Sequence, residues 1–252
     1  MALSSDSDSR QLLTARLRDL SAAARKSGAP RFTAFLDPGA CTFAAQILSA
    51  AHDEFTFFGG YPDAERRILS VYTQAFEPSE TQFPMTCIGL SYRPADTLTH
   101  RDVLGSVMAL QIRRDAVGDI LVTPGKAQLF VLRSVAPLLC DSLRKIGRVG
   151  VCVAEEAFSL SCARSFQPIS GTVASCRLDA MVSLAARVSR EKAAALIRGQ
   201  QVAVGGLTAA SVCAPLEEGE IFSVRGFGKY RVAAIAGLSK KGRLHVTLEK
   251  YT

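Results

Sequence analysis

Residues 177–206 read RLDAMVSLAARVSREKAAALIRGQQVAVGG, with five basic residues, two acids and a row of alanines. Leu178, Met181, Val182 and Ala185 fall on one face of a helix, the spacing of an amphipathic segment. Ser189 stands where a helix N-cap belongs, and a second helix follows it. On that helix Arg190, Ala194 and Arg198 recur at i, i+4 and i+8 and share one row. Ala193, Leu196 and Ile197 supply the adjacent apolar side. An alanine between two arginines predicts a gap through which a phosphate backbone could reach both guanidinium groups. Val202 and Val204 then alternate into a Gly205-Gly206 turn. Two short helices on a small twisted sheet are expected.

Charge supports this placement. The 252 residues carry 30 Lys and Arg against 23 Asp and Glu, a net charge of +7. From Arg164 onward there are 13 basic and 6 acidic residues, which leaves 17 of each before it. The whole excess of positive charge lies in the last third, the footprint of a polyanionic partner. Further β structure is expected at IFSVRGFGKYRV (221–232) and RLHVTLEKY (243–251), around a basic GLSKKGR loop (237–243). RGFGKYRV (225–232) meets the RNP1 pattern of RNA-recognition domains in its first four positions. Lys229 and Val232 then stand where aromatics belong. The plainer reading is a strand bent at its glycines, with Arg225, Lys229 and Arg231 as phosphate contacts and Phe227 as a packing residue.

Composition is that of a globular protein, 48% hydrophobic and 21% charged. No apolar run approaches the roughly 20 residues that cross a bilayer. MALSSDSDSRQLL lacks the basic and apolar regions of a signal peptide, so a cytoplasmic location is expected. The seven cysteines are scattered without C-x-x-C spacing and are expected to be buried, reduced and inert. The histidines are too dispersed for a metal site, and no glycine-rich phosphate loop occurs. No cofactor and no metal are expected.

The remainder of the chain is mixed. Residues 1–9 are Ser/Asp-rich and read as frayed. Residues 10–26 form an amphipathic helix ended near Gly28 and Pro30. Asp37 and Pro38 mark the N-cap and first residue of a helix to about Ala51. EFTFF (54–58) is a strand, Pro62–Glu65 a single helical turn, and RRILSVY is ambiguous between strand and helix. FFGGY (57–61) reads as a turn packed by aromatics, with a base-stacking platform as the alternative. PSETQFP (78–84) reads as a linker. MTCIGLSYR (85–93), a helix from Thr99 to about Ile112, two strands within 118–133, a helix over 136–147 and a strand over 148–156 give the order β-α-β-β-α-β. This is the ferredoxin-like plan that RNA-recognition domains use, and Phe130 is a core residue in it. Thr99-His100-Arg101-Asp102 is a capping arrangement rather than an acid–base pair. Secondary RNA contacts fall to His100 and Arg101.

R-L-D (177–179), S-R-x-x-A (189–193), L-I (196–197), V-x-V-x-G (202–206), L-x-x-G (216–219) and I-x-S-V-R-G-x-G-K-Y (221–230) together resemble the S4-type RNA-binding domain. F-L-D-P (35–38), F-F-G-G-Y with A-E-R (57–66), L-T-H-R-D-V-L-G (98–105), R-R-D-A-V-G-D-I-L-V (113–122) and S-K-K-G-R (239–243) resemble the bacterial YlmH family. An α+β chain in four parts is expected. These are a mixed segment over 1–78, a ferredoxin-like domain over 79–160, a linker over 161–173 and an S4-type αα-β domain over 174–252. The resemblance implies a role in the rescue of stalled ribosomes, with contacts to large-subunit ribosomal RNA and tRNA, and a non-catalytic, monomeric factor is expected. Arg177, Ser189, Arg190, Lys192 and Arg198 inherit an RNA-facing role, and the basic loop adds Lys240, Lys241 and Arg243. Gly205 stands where the family usually has asparagine. Alternatives are an RNA-modifying enzyme, for which no catalytic Asp strand or methyl-donor loop is found, and a protein–protein adaptor linked to cell division.

Overall fold

The computed structural model describes residues 3–74, 76–160, 166–238 and 242–251. The chain divides into two compact units, Met1–Cys162 and Ala163–Thr252.

The first unit opens on helix α1 (Leu3–Ser27). Helical backbone therefore begins within the segment expected to fray. Gly28, at φ +68, ends the helix in the left-handed region. Strand β1 (Arg31–Leu36) follows, an element that the sequence pattern did not suggest. Asp37 caps α2 (Pro38–Ala50), its Oδ1 accepting from the Ala40 N–H at 2.9 Å, with Pro38 in the first turn. Strands β2 (Glu54–Phe58) and β3 (Arg67–Tyr72) complete an antiparallel sheet in the order β1-β3-β2. Residues 62–65 form turns, not a helical turn.

A second antiparallel sheet holds β4 (Met85–Ser91), β5 (Val117–Thr123), β6 (Lys126–Leu132) and β9 (Cys152–Glu155), in the order β5-β6-β4-β9. Helices α3 (His100–Ala109) and α4 (Ala136–Ser142) belong to the same segment. The helix expected to reach Gly147 stops five residues earlier. Gly147, at φ +58, instead turns a small hairpin, β7 (Lys145–Ile146) with β8 (Val149–Gly150).

These parts form four layers. On β3, Leu69 and Val71 join Leu17 and Ala24 of α1 and Ala44 and Leu48 of α2 in one core. Ile68 points to the other face and joins Phe35, Phe83, Met85, Cys87 and Phe130 in a second core. On β4 and β6, Ile88, Leu90, Leu129 and Val131 face a third core with Val103 and Val107 of α3 and Leu139 of α4. Both sheets are thus covered on both faces, which explains why RILSVY shows no alternation. The segment 78–84 is not a free linker. It contains a 3₁₀ turn (Glu80–Gln82), capped reciprocally by Ser79 and Gln82, and Phe83 is 2% exposed. Phe83 packs edge-on to Phe32 and Phe58, so the parts expected to separate at residue 78 share a core.

The second unit is one antiparallel sheet in the order β10-β15-β14-β13-β11-β12. Its strands are β10 (Phe166–Val173), β11 (Val202–Val204), β12 (Leu207–Thr208), β13 (Ile221–Val224), β14 (Gly228–Leu238) and β15 (Leu244–Tyr251). Helices α5 (Leu178–Ala186) and α6 (Arg190–Arg198) cover one face. Their Leu178, Met181, Val182, Ala193 and Ile197 meet Phe222, Val224, Tyr230, Val232, Val246 and Leu248. Gly205 and Gly206, at φ +56 and +82, make the two-residue turn between β11 and β12. Both central residues need positive φ in such a turn, so Gly205 serves in place of asparagine.

Replacing Phe83 by alanine opens a cavity where three parts of the first unit meet. The expected destabilisation is about 3–5 kcal/mol, read as a lower midpoint of a single cooperative urea transition. A transition that leaves the 85–155 sheet unaffected would contradict the shared core.

Candidate nucleic-acid interface

Burial turns the α5–α6 pair so that one flank of α6 faces α5. The residues of α6 buried against the core are Ala193, Ala194 and Ile197. The row Arg190–Ala194–Arg198 therefore runs along the edge of the buried stripe. Ala194 is only 9% exposed, so the open gap expected between the two arginines is closed. From the start of that row Arg190 reaches the first turn of α5.

Asp179 is the receiving group. Its side chain is 8% exposed. One carboxylate oxygen accepts from the Arg177 Nε at 3.2 Å and from the Ala180 N–H at 2.9 Å. The other accepts from the Arg177 Nη2 at 3.2 Å and from the Arg190 Nη2 at 2.7 Å. Four donors fill the acceptor capacity of a carboxylate. Burial alone raises the pKa of Asp179, but the hydrogen bonds from Arg190 and Arg177 outweigh it and hold the group below the usual carboxylate range. Two guanidinium groups share one negative charge, so the cluster keeps a net charge of +1. The arginine side chains remain 42% and 50% exposed. Asp179 lies inside the R-L-D motif, and its i, i+2 spacing from Arg177 was the available signal.

Ser189 caps α6 by accepting from the Lys192 N–H at 3.2 Å, so its oxygen is engaged within the chain. Lys192 and Arg198 are exposed on α6. Arg187 is exposed at the corner between the helices and holds φ +53, a conformation that favours glycine. Arg177, Arg187, Arg190, Lys192 and Arg198 thus belong to one helix pair.

The other basic residues lie elsewhere. Tyr230 and Val232 of β14 point into the core beneath the helices. Strand alternation sends Lys229 and Arg231 to the opposite face of the sheet. A single patch uniting them with α6 does not form. Arg231 pairs with Glu249, Nε to Oε2 at 3.0 Å, and Lys229 lies over the Tyr251 ring at 5.2 Å. Arg225 is exposed in the β13–β14 turn. Arg243 donates from Nη2 to the Thr172 carbonyl at 2.7 Å. Lys240 and Lys241 lie outside the described residues.

In the first unit the THRD segment is a capping box: Thr99 accepts from the Asp102 N–H, and Asp102 accepts from the Thr99 N–H. His100 and Arg101 are exposed in the first turn of α3. Desolvation, then the charge of Arg114, pushes His100 below its ordinary value against the opposing pull of Asp119 and Glu65. The FFGGY motif is a packed turn. Gly60 has φ +98, and a Cβ there would collide with the Phe130 ring. Tyr61 stacks on Phe130 and donates to Asp119 Oδ2 at 2.8 Å. Asp119 also accepts from the N–H groups of Glu65 and Arg66. The Arg66 guanidinium donates to the carbonyls of Val117, Phe35 and Arg114. Motifs near residues 35, 65 and 117 therefore converge on one internal strap. The expectation of buried cysteines holds for Cys41 and Cys87 and fails for Cys152 and Cys213, which are exposed. The Cys87 thiol is pushed up to about 12, chiefly by burial.

Residues 78–159 match the family model described as "Putative RNA-binding domain in YlmH". The chain is 30% identical over 227 residues to "Ribosome-associated protein quality control protein P2" of Bacillus subtilis (strain 168), covering 87% of each chain. Among solved structures it resembles "Cell division protein ylmH from Streptococcus pneumoniae" at 26% identity and a TM-score of 0.51. That alignment covers 58% of this chain and 90% of the other.

Asp179→Asn keeps the side-chain shape and removes the charge. It is expected to cost about 1–3 kcal/mol at pH 7. The folded pKa of Asp179 is depressed, so its contribution is present above the unfolded value near ~4 and is lost as pH falls through the folded value. The gap between wild type and variant in urea unfolding should be widest near neutral pH and close in acid. A constant gap would show that the charge of Asp179 is not what holds the arginines.

Proposed function

Because the chain belongs to the YlmH family, we propose that it is a ribosome-associated RNA-binding factor acting in the quality control of stalled ribosomes. The observation that carries this reading is the arginine pair fixed on Asp179 beside exposed Lys192 and Arg198. Fixed guanidinium forks suit phosphates, because Arg can bind them bidentately and little side-chain freedom remains to be lost. The B. subtilis relative is named for ribosome association and protein quality control.

Two finer assignments belong to this proposal. The segment 85–155 is read as a ferredoxin-like domain. Its strand order β5-β6-β4-β9 and its two crossover helices support that plan. The segment 177–251 is read as an S4-type domain, supported by the helix pair, the Gly205-Gly206 hairpin and the glycine-bent β13–β14 turn. The partners are large-subunit ribosomal RNA and tRNA, and the protein acts as a non-catalytic cytoplasmic monomer. Binding is carried by backbone phosphates and RNA shape, so it weakens steeply with salt.

Changing Arg190 and Arg198 together to glutamine removes two of the exposed cations without opening the core. Co-sedimentation with purified large ribosomal subunits is expected to fall at least tenfold. The salt slope of any residual binding should shrink by about one unit for each phosphate no longer neutralised. Unchanged sedimentation with an unchanged salt slope would overturn the helix pair as the RNA surface.

A further inference from the structure

We infer that the outer face of the C-terminal sheet, turned away from α5 and α6, is a second RNA surface that takes an unpaired, single-stranded segment by stacking its bases. The inference rests on the RNA-binding reading above but uses a face that the helix pair does not share.

The register builds this face. Phe166 of β10 stands opposite Tyr251 of β15, and Arg231 of β14 stands opposite Glu249. Tyr230, Val232, Val246 and Leu248, which alternate with them, fill the core. Phe166 and Tyr251 meet edge to face at 5.1 Å, and both are only half-buried. Each carries a cation over its ring. The Arg231 guanidinium lies 4.9 Å from the Phe166 centroid, and the Lys229 ammonium lies 5.2 Å from that of Tyr251. Glu249 fixes Arg231 in place while its side chain stays 41% exposed.

Two rings and a clamped guanidinium plane, side by side on a rigid sheet, match what unpaired bases require. A base can stack on a ring or on a guanidinium plane, and the same cations reach its phosphate. Further along the face the floor is low. Ala234 pairs with Thr247, Ala236 pairs with His245, and both alanines are exposed. Arg243, bonded to the Thr172 carbonyl, adds a cation at the far end. From His245 to Tyr251 the strand spans about 20 Å at ~3.4 Å per residue, a track for an extended strand rather than a pocket for one nucleotide. Charge is complementary to a polyanion, with Lys229, Arg231 and Arg243 against Glu249. The contacts of Arg231 with Phe166 and of Lys229 with Tyr251 both lie on this face.

The test uses the full chain and a 12-nucleotide oligouridylate carrying one 5-bromouridine. Photocrosslinks on unmodified protein are expected in the peptides holding Phe166 and Tyr251. By fluorescence anisotropy, the double variant Phe166→Leu/Tyr251→Leu should bind the oligomer about tenfold more weakly or worse. Tyr251→Phe, which keeps the ring, should bind like wild type. Crosslinks confined to the 177–198 helices, or no oligomer binding at all, would overturn the inference, as would wild-type affinity in the double leucine variant. If the leucine variant fails to fold, the crosslink map on unmodified protein decides. The two sites fail separately: sedimentation of the Arg190/Arg198 variant with large subunits reports on the helix pair, and oligomer binding reports on the sheet.

Discussion

One buried carboxylate organises the basic surface of the C-terminal unit. Arginine side chains on short helices are long and mobile, and holding two of them together opposes both their entropy and their mutual repulsion. Asp179 offsets both costs. It is placed in the first turn of α5, where the helix dipole favours an anion, and is nearly removed from water, where its attraction for both guanidinium groups is strengthened. Arg190 crosses from one helix to the other and adds an ion pair to their apolar packing. Guanidinium groups fixed in advance have less freedom left to lose on binding an anion.

The first unit solves a different problem. It carries as much negative as positive charge, and its family motifs turn inward. Arg66 donates to three backbone carbonyls, and Asp119 accepts from two backbone N–H groups and the Tyr61 hydroxyl. These are satisfied polar groups that tie β1, β5 and the 57–66 turn together across two sheets. Buried polar groups must be paired in this way or they destabilise the fold. Charged motif residues here therefore report on architecture, whereas charged residues on α6 report on a surface.

The sequence made local structure legible wherever one side of an element is wet. The stripe Leu178–Met181–Val182–Ala185, the Ser189 cap, the Asp37-Pro38 start and the Thr99/Asp102 box all appear as read, because each depends on neighbours within a few residues. Elements covered on both faces were harder. β3 has no alternation between its two cores, and the 78–84 segment looked like a linker because its anchoring residue, Phe83, finds its partners more than twenty residues away. The site was legible by composition and not by geometry. The arginines could be counted, but the partner of Arg190 lies on another helix. The separation of Lys229 and Arg231 from α6 follows from a two-residue alternation that is visible only once Tyr230 and Val232 are known to be core.

That alternation gives the sheet two chemically different sides. Its inner side must be apolar to hold α5 and α6, and the basic residues of β14 are driven to the outer side by the same period. There they do not stand free: each is steadied by a ring, and Arg231 also by Glu249. A cation over an aromatic face is held there by the ring's quadrupole. On the helix side the guanidinium groups of Arg177 and Arg190 are held by Asp179 instead. The strand period thus decides which cations stand on each side of the sheet and what steadies them there.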